Sequence, residues 1–406
     1  MTQDLEAELT RIHREEYAVV VASLVRRFGD IDVAEDAASE ALVAALEHWP
    51  TSGIPPNPGG WLTTTATRKA IDRIRRESNR DTKHQQAAMI IDPTPPADPG
   101  VVDDDRLRLL FTCCHPALSP EARVALTLKL IGGLTVEEIA AAFLVPDTTM
   151  AQRITRAKRK ISDAHIPYRV PQAADLPARL GGVLAVVYLI FNEGYLSSSG
   201  ADSIRDDLCL EAIRLARLLR ALIPTEPEIT GLLALMLLTE ARRPARVAGG
   251  ELVTLGEQDR GRWDRDLIEE GHALVRDCLA INRPGHYQLL AAINAVHTDA
   301  PAAADTDWGQ IAALYDQLYV VSPTPVVALN RAVAVAELDG PVVALAAVDR
   351  LELSSYHAWH ATRADLLRRL GRSSEAAAAY DAAISATDNP AERAYLTRRR
   401  GQLSAD

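Results

Sequence analysis

Aromatic residues make up only 5% of the 406-residue chain, four of them Phe, so the apolar content must be carried by other side chains. Abundant Ala, Leu and Arg take that place and favour helix over sheet, which makes all-α the expected class. Cysteine is equally sparse. Cys113, Cys114, Cys209 and Cys278 form no CxxC pair and no even framework in a short chain, so a reduced, cytoplasmic protein without disulfides is expected. Metal-ligand spacing is missing too. Cys113, Cys114 and His115 are adjacent rather than spaced in pairs, and His357 and His360 have no carboxylate or third ligand spaced to join them, so neither a metal nor another cofactor is expected. The most apolar runs, Gly181 to Phe191 and Gly231 to Leu238, fall well short of the roughly 20 residues that cross a bilayer. They read as buried helices, with no membrane partner. The N-terminal MTQDLEAELTRIHREEY is charged and lacks the apolar stretch of a secretion signal. A net charge of -11 argues against a general nucleic-acid coat, although a whole-chain sum can hide a basic face on one domain.

Helical spacing runs from about Leu9 to Arg80, broken by the turn-rich Pro50 to Gly60. Residues 92–105, DPTPPADPGVVDDD, combine prolines with like charges that neither pack nor continue a helix, and read as linker. A second small unit follows from Arg106 to about Ile166, in which Ser119-Pro120-Glu121 opens a helix and Gly132-Gly133 closes it. Beyond Pro167 and Pro171 the chain becomes Ala- and Leu-rich to its end. Its last part repeats: residues 329–351 align with 361–384, matching Ala332 with Ala364, Leu338 with Leu370, Ala344 with Ala376 and Asp349 with Asp381. Turns at Gly340 and Gly371 suit stacked helix pairs of the tetratricopeptide kind.

Residues 134–161, LTVEEIAAAFLVPDTTMAQRITRAKRKI, carry the clearest function. Thr135 caps a short helix with Glu138 three residues on, Leu144 to Asp147 makes a tight turn, and Thr148 starts a second helix, giving a helix-turn-helix. Thr148, Thr149, Gln152 and Arg153 lead that second helix, and Arg156, Lys158, Arg159 and Lys160 follow with no acidic residue between Thr148 and Lys160. Such an end reaches base edges in the major groove while the trailing cations meet phosphates.

In the N-terminal unit, residues 28–30 (FGD) and 33–42 (VAEDAASEAL) resemble the part of sigma factors that binds the polymerase clamp. Arg26, Glu35, Asp36 and Glu40 are expected to present a charged surface there, with Ala34, Ala37, Ala41 and Leu42 inward. Residues 61–76, WLTTTATRKAIDRIRR, resemble the sigma-factor helix that begins Trp-Leu and ends in Asp with paired Arg. Arg68, Lys69, Arg73, Arg75, Arg76 and Arg80 then form a basic stripe suited to a phosphate backbone, and Trp61, Arg68, Lys69, Arg73, Arg75 and Arg76 are the residues expected at the minus-ten element, behind a loop at 50–60 that in the family captures a flipped base. Arg68 stands where the family usually has Asn. With FTCCHPALSPEARVALTLKLIGGLT (111–135), YLIFNEGYLSSSG (188–200) and RDDLCLEAIRLARLL (205–219), the chain is similar to extracytoplasmic-function RNA polymerase sigma factors with a tetratricopeptide-like C-terminal extension.

The resemblance implies sigma region 2 over 1–85, a linker over 86–105, sigma region 4 over 106–166 and a helical extension over 167–406. It implies core RNA polymerase, through its beta-prime clamp and beta flap, and promoter DNA as partners, with a further protein partner for the repeats. Transcription initiation and DNA melting are the expected functions, with activity regulated by the extension. A helix-turn-helix regulator whose repeat domain senses a ligand or protein is the alternative. Asn192, Glu193, Gly194 and Tyr195 form a polar knot with no nucleophile motif, phosphate loop or His-Asp partner in register. It reads as a helix-ending loop at an interface of the extension, and no enzyme activity is expected.

Overall fold

Alternating small and large apolar residues build the first helices. Along α1 (Thr2–Phe28) the buried Tyr17, Val21, Leu24 and Val25 share one face, as a 3.6-residue period requires. Gly29 stops it with a φ of +70°, a conformation that glycine adopts without strain. Asp30 then caps α2 (Ile31–Ser52), its carboxylate accepting from the backbone N–H groups of Asp32 and Val33. Ala34, Ala37, Ala38, Ala41 and Ala45 are buried, and such small side chains allow helices to approach closely. Asn57 accepts from the Gly60 N–H at the start of α3 (Pro58–Arg80).

The expected loop from Pro50 to Gly60 is therefore shorter than its composition suggests. Pro50 lies in the last turn of α2 and Pro58 opens α3, where a missing N–H costs nothing. Only residues 53–57 are non-helical.

This computed structural model describes residues 2–80, 102–143, 145–171, 175–196, 203–387 and 389–403. Most of the expected linker, residues 81–101, lies outside the described residues, and α4 (Val102–Cys113) begins inside its C-terminal end. The second set of helices continues with α5 (Pro120–Leu130), α6 (Val136–Ala142) and α7 (Asp147–Asp163). Ser119 caps α5. Thr135 and Glu138 form the expected capping box on α6, with the Thr135 N–H donating to Glu138 Oε2 at 2.7 Å and the Glu138 N–H to Thr135 Oγ1 at 3.1 Å. The turn before α7 includes Leu144, outside the described residues, and α7 starts one residue ahead of Thr148. The carbonyl end of α4 is held by arginines. Arg179 donates to the Phe111 carbonyl, and Arg123 to those of Leu118 and Pro116 in the following turn.

Two compact units divide the chain, Met1–Ile190 and Phe191–Asp406, so the division falls within α8 (Leu176–Leu196). In the second unit α9 (Ser203–Leu222), α12 (Arg265–Ile281) and α13 (His286–Asp299) surround an almost wholly buried α10 (Pro227–Glu240), as the run from Gly231 to Leu238 predicts. Glu228 of α10 accepts from the N–H groups of Tyr287 and Gln288 at the α13 N-terminus, placing negative charge at the positive end of that helix. Between α10 and α12 come the four-residue α11 (Arg243–Arg246) and a small antiparallel pair, β1 (Val247–Ala248) with β2 (Glu251–Leu252).

The C-terminal helices α14 (Trp308–Val321), α15 (Pro325–Leu338), α16 (Pro341–Val348), α17 (His357–Arg369), α18 (Ser373–Ala386) and α19 (Pro390–Gln402) complete the chain. The repeat at 329–351 and 361–384 falls on two successive helix pairs, α15–α16 and α17–α18. Ala332, Ala364, Ala344 and Ala376 are buried in a shared core with Tyr380, and Gly340 and Gly371 turn with φ of +85° and +71°. The matched acids are matched in use: Asp349 pairs with Arg363 and Asp381 with Arg400. Leu338 breaks the pattern by lying exposed.

Candidate nucleic-acid interface

On α7 the amphipathic split is clean. Met150, Ile154, Ala157 and Ile161 are buried, while Thr148, Thr149, Gln152, Arg156 and Lys160 are exposed and Arg153 is half-buried. Arg156 donates to Gln152, so the two polar groups form one edge. The helix thus offers hydroxyl, amide and guanidinium groups at its leading end and cations behind them. That is a surface suited to base edges first and phosphates second.

Helix α3 carries Trp61, Arg68, Lys69, Arg73, Arg75 and Arg76. Trp61 packs edge-on against the buried Trp49 of α2, with ring centroids 5.3 Å apart, so the start of α3 is anchored through an aromatic contact. Arg68, Arg75 and Arg76 are exposed. Lys69 and Arg73 are instead paired across the helix interface, Lys69 with Glu40 at 3.6 Å and Arg73 with Asp36. Two of the six basic-stripe residues therefore meet two of the three acids expected to face polymerase. They line a groove of about 430 Å³ with Val43 and Glu47.

The third acid departs from expectation. Glu35 is buried at 9% exposure rather than presented on a charged surface. Its Oε2 lies 2.5 Å from Lys158 Nζ of α7 and its Oε1 3.4 Å from Lys129 Nζ of α5. Lys158 also reaches Asp32 at 2.8 Å. Burial works against the Lys158 ammonium, but the Glu35 and Asp32 carboxylates outweigh it and raise its pKa. Arg26, expected on the same surface, pairs at 3.1 Å with the buried Asp105 of α4. The Tyr168 hydroxyl donates to the carbonyls of Ala22 and Asp105, tying α1, α4 and the segment after α7 together. Asp32 and Lys129 are the functional neighbours that sequence reasoning missed. Partners so distant in the chain leave no local pattern to find them by.

Comparison with protein families matches residues 12–80 to sigma-70 region 2 and residues 108–161 to sigma-70, region 4. The two matched segments are the two helix sets just described, and they contain every residue of the α3 stripe and the α7 edge. Among curated relatives, the protein named "Probable ECF RNA polymerase sigma factor SigI" of Mycobacterium tuberculosis is 33% identical over 169 residues, 40% of this chain and 56% of SigI. SigK of Mycobacterium ulcerans is 30% identical over 121 residues, 28% of this chain and 64% of SigK.

The chain belongs to the extracytoplasmic-function sigma-70 family.

This sigma factor is also 43% identical over 396 residues to the uncharacterized protein R00370 of Rhizobium meliloti, covering 95% of this chain and 93% of that one. The likeness therefore includes the C-terminal half, of which residues 179–279 match a family of unknown function, DUF6596. No solved structure matches. Among the described residues no helix is long and apolar enough to cross a membrane, and no group of three or more His, Cys, Asp or Glu is placed to hold a metal ion.

The remaining sequence candidates are placed as follows. Asn192, Glu193, Gly194 and Tyr195 occupy the last turns of α8 rather than a loop, and Tyr195 stacks against Arg246, whose guanidinium lies 3.9 Å from the ring centroid. All four cysteines are buried, and burial pushes the Cys114 thiol up to about 11. His357 does meet a carboxylate that the sequence spacing did not offer, Glu392 at 3.4 Å, because α19 folds back beside α17. His360 instead faces the Ser354 carbonyl.

Proposed function

We propose that this sigma factor directs core RNA polymerase to promoters and helps open them, using three surfaces of its first unit. Asp36, Glu40 and, once released, Glu35 meet the beta-prime clamp. Trp61 and the basic residues of α3 hold the opened minus-ten strand, where an aromatic anchor and cations suit unpaired bases and phosphates. Thr148, Thr149, Gln152, Arg153, Arg156 and Lys160 read the minus-thirty-five duplex, with the rest of the α4–α7 set on the beta flap. Base pairs are separated by binding energy alone, without covalent chemistry. The observation that carries this reading is the exposed polar end of α7 over a buried apolar face, inside a segment that matches sigma-70, region 4.

Promoter geometry adds a requirement. The two elements are separated by about 25 base pairs, or roughly 85 Å of duplex at about 3.4 Å per pair. Glu35 and Lys158 in contact cannot serve both ends of such a span. Residues 81–101 reach up to about 70 Å when fully extended, which, with the helix sets themselves, is enough to bridge it. Loading on polymerase therefore accompanies separation of α7 from α2, and Lys158 is the residue that Glu35 must leave.

The extension regulates this step, with the repeats of α15–α18 as a platform for a protein partner and Asn192 to Tyr195 at its interface. Run-off transcription with core polymerase tests the whole reading. The intact chain should support promoter-dependent transcripts, and a fragment of residues 1–196, which keeps α8 whole, should give fewer. No transcript from the intact chain would favour a regulator that does not associate with polymerase.

A further inference from the structure

Four arginines of the second unit converge near the end of α8 in a way that DNA binding does not explain. Arg242, in the turn between α10 and α11, donates to Asn294 Oδ1 at 2.5 Å. Arg246 of α11 donates to the Tyr195 carbonyl at 2.9 Å while lying over the Tyr195 ring. Arg260 donates to the His297 and Ala300 carbonyls, each at 2.6 Å, and stacks 4.6 Å from the Trp263 ring centroid. Arg243 lies 5.8 Å from the Tyr195 ring but is matched by Glu240 through both of that carboxylate's oxygens.

Charge bookkeeping separates Arg243 from the other three. Arg242, Arg246 and Arg260 spend their hydrogen bonds on neutral oxygens, and none of them forms an ion pair with a described residue. Arg246 and Arg260 do cap the carbonyl ends of α8 and α13, but each helix end supplies only about half a negative charge. Asp305 acts on Arg260 from a distance, from an exposed position. Positive charge is left over. The Nε atoms of Arg242 and Arg260 are enclosed and have no hydrogen-bond partner, although buried donors are ordinarily paired. The residues themselves are half-buried, so the cluster keeps access to solvent.

His297 senses the resulting field from within it. Burial, and after it the Arg242 and Arg260 charges, push its pKa down to about 4, although the ring sits beside Trp308 with no cation hydrogen-bonded to it. Burial does most of this, and the two guanidinium charges add to it, so the ring lies within reach of the arginine cluster.

We propose that Arg242, Arg246 and Arg260, with Tyr195 as a wall, form the binding site for a small oxyanion ligand, a phosphate ester or a carboxylate. Guanidinium forks match either group in a bidentate manner. Enclosure strengthens the attraction relative to a surface site. The site gives a chemical role to the polar knot at the end of α8, and it provides the second unit with a small-molecule input independent of any protein partner of the repeats.

Calorimetric titration of the full chain with sodium phosphate, and separately with sodium succinate, tests this at an ionic strength held constant with sodium chloride. A saturable heat is expected from at least one probe. Phosphate alone assigns phosphate esters, and succinate alone assigns carboxylates. Arg242→Gln and Arg260→Gln should each weaken binding about tenfold or more, as expected when a charge-assisted hydrogen bond is lost. Arg398→Gln, which removes a surface pair with Glu251, should leave binding unchanged. A readout that needs no substitution is the NMR titration of His297, whose midpoint should move up from about 4 when a bound anion neutralises the arginines. Absence of saturable heat from both probes overturns the proposal. So does binding that both arginine variants retain in full, or binding that leaves the His297 midpoint in place.

Discussion

Lys158 on α7 and Glu35 on α2 stand 2.5 Å apart, both with side chains largely out of solvent. One ion pair therefore joins the surface proposed to read promoter DNA to the surface proposed to meet polymerase. Lys129 and Asp32 extend it into a small network, and such coupled charges resist simple addition of single effects.

Lys158→Ala should loosen this contact by about 2 kcal/mol, the scale of a hydrogen bond to a charged group. Less is lost than for an isolated buried pair, because Glu35 keeps Lys129. Titration of labelled protein with core polymerase should then show tighter binding than for the parent chain. The charge swap Lys158→Glu with Glu35→Lys should restore the coupling in an unfolding double-mutant cycle. Additivity of the two single changes would contradict the network.

On α7, Arg153→Ala should weaken binding to an upstream element by about 1–3 kcal/mol if the guanidinium contacts a base, with the loss confined to cognate sequence. Lys160→Ala should weaken cognate and non-cognate duplexes alike and reduce the salt slope by about one. Filter binding or anisotropy across a salt series distinguishes these patterns. Equal binding by both variants would remove α7 from the DNA interface.

A pH dependence follows from His297. Its folded pKa of about 4 lies below the ordinary 6.5, so between those values the unfolded chain binds more protons than the folded one. Stability of the second unit should fall as pH drops below about 6.5 and level off below about 4, by a total near 3 kcal/mol. Denaturant melts from pH 7 to 4 should show this slope, and His297→Gln should flatten it. A slope unchanged in that variant would assign it to other groups.

Gly231→Ala tests the packing of the buried α10. An added Cβ would meet the Gln288 backbone N at 2.6 Å and its Cα at 2.8 Å, so α13 would have to move. Overpacking of about 1–3 kcal/mol should outweigh the helix-propensity gain of about 1 kcal/mol. A lowered melting temperature is expected, and a raised one would mean that these helices are not in close contact.

Local chemistry made much of this legible in advance. The Thr135–Glu138 capping box, the Ser119 position before α5, and the Gly340 and Gly371 turns all act within a few residues, and the structure has them where the pattern predicts. The face of α7 was equally readable, because burial of Met150, Ile154 and Ile161 dictates what remains outside. Turn-rich composition misled at 50–60, since proline at the first position of α3 and in the last turn of α2 is compatible with helix. Glu35 was misplaced for a different reason. Its acidic neighbours on α2 look like a solvated face, and only Lys129 and Lys158, brought in by other helices, bury it. The arginine cluster was hidden likewise, because Tyr195, Arg242, Arg260 and His297 come from four separate segments.

Promoter-specific run-off transcription by core RNA polymerase supplemented with the intact chain tests the central claim most directly. A defined transcript that depends on the added protein, and that disappears when Arg75 and Arg76 of α3 are both changed to Ala, is the predicted result. No transcript above core polymerase alone, on promoter DNA that the protein demonstrably binds, would contradict it.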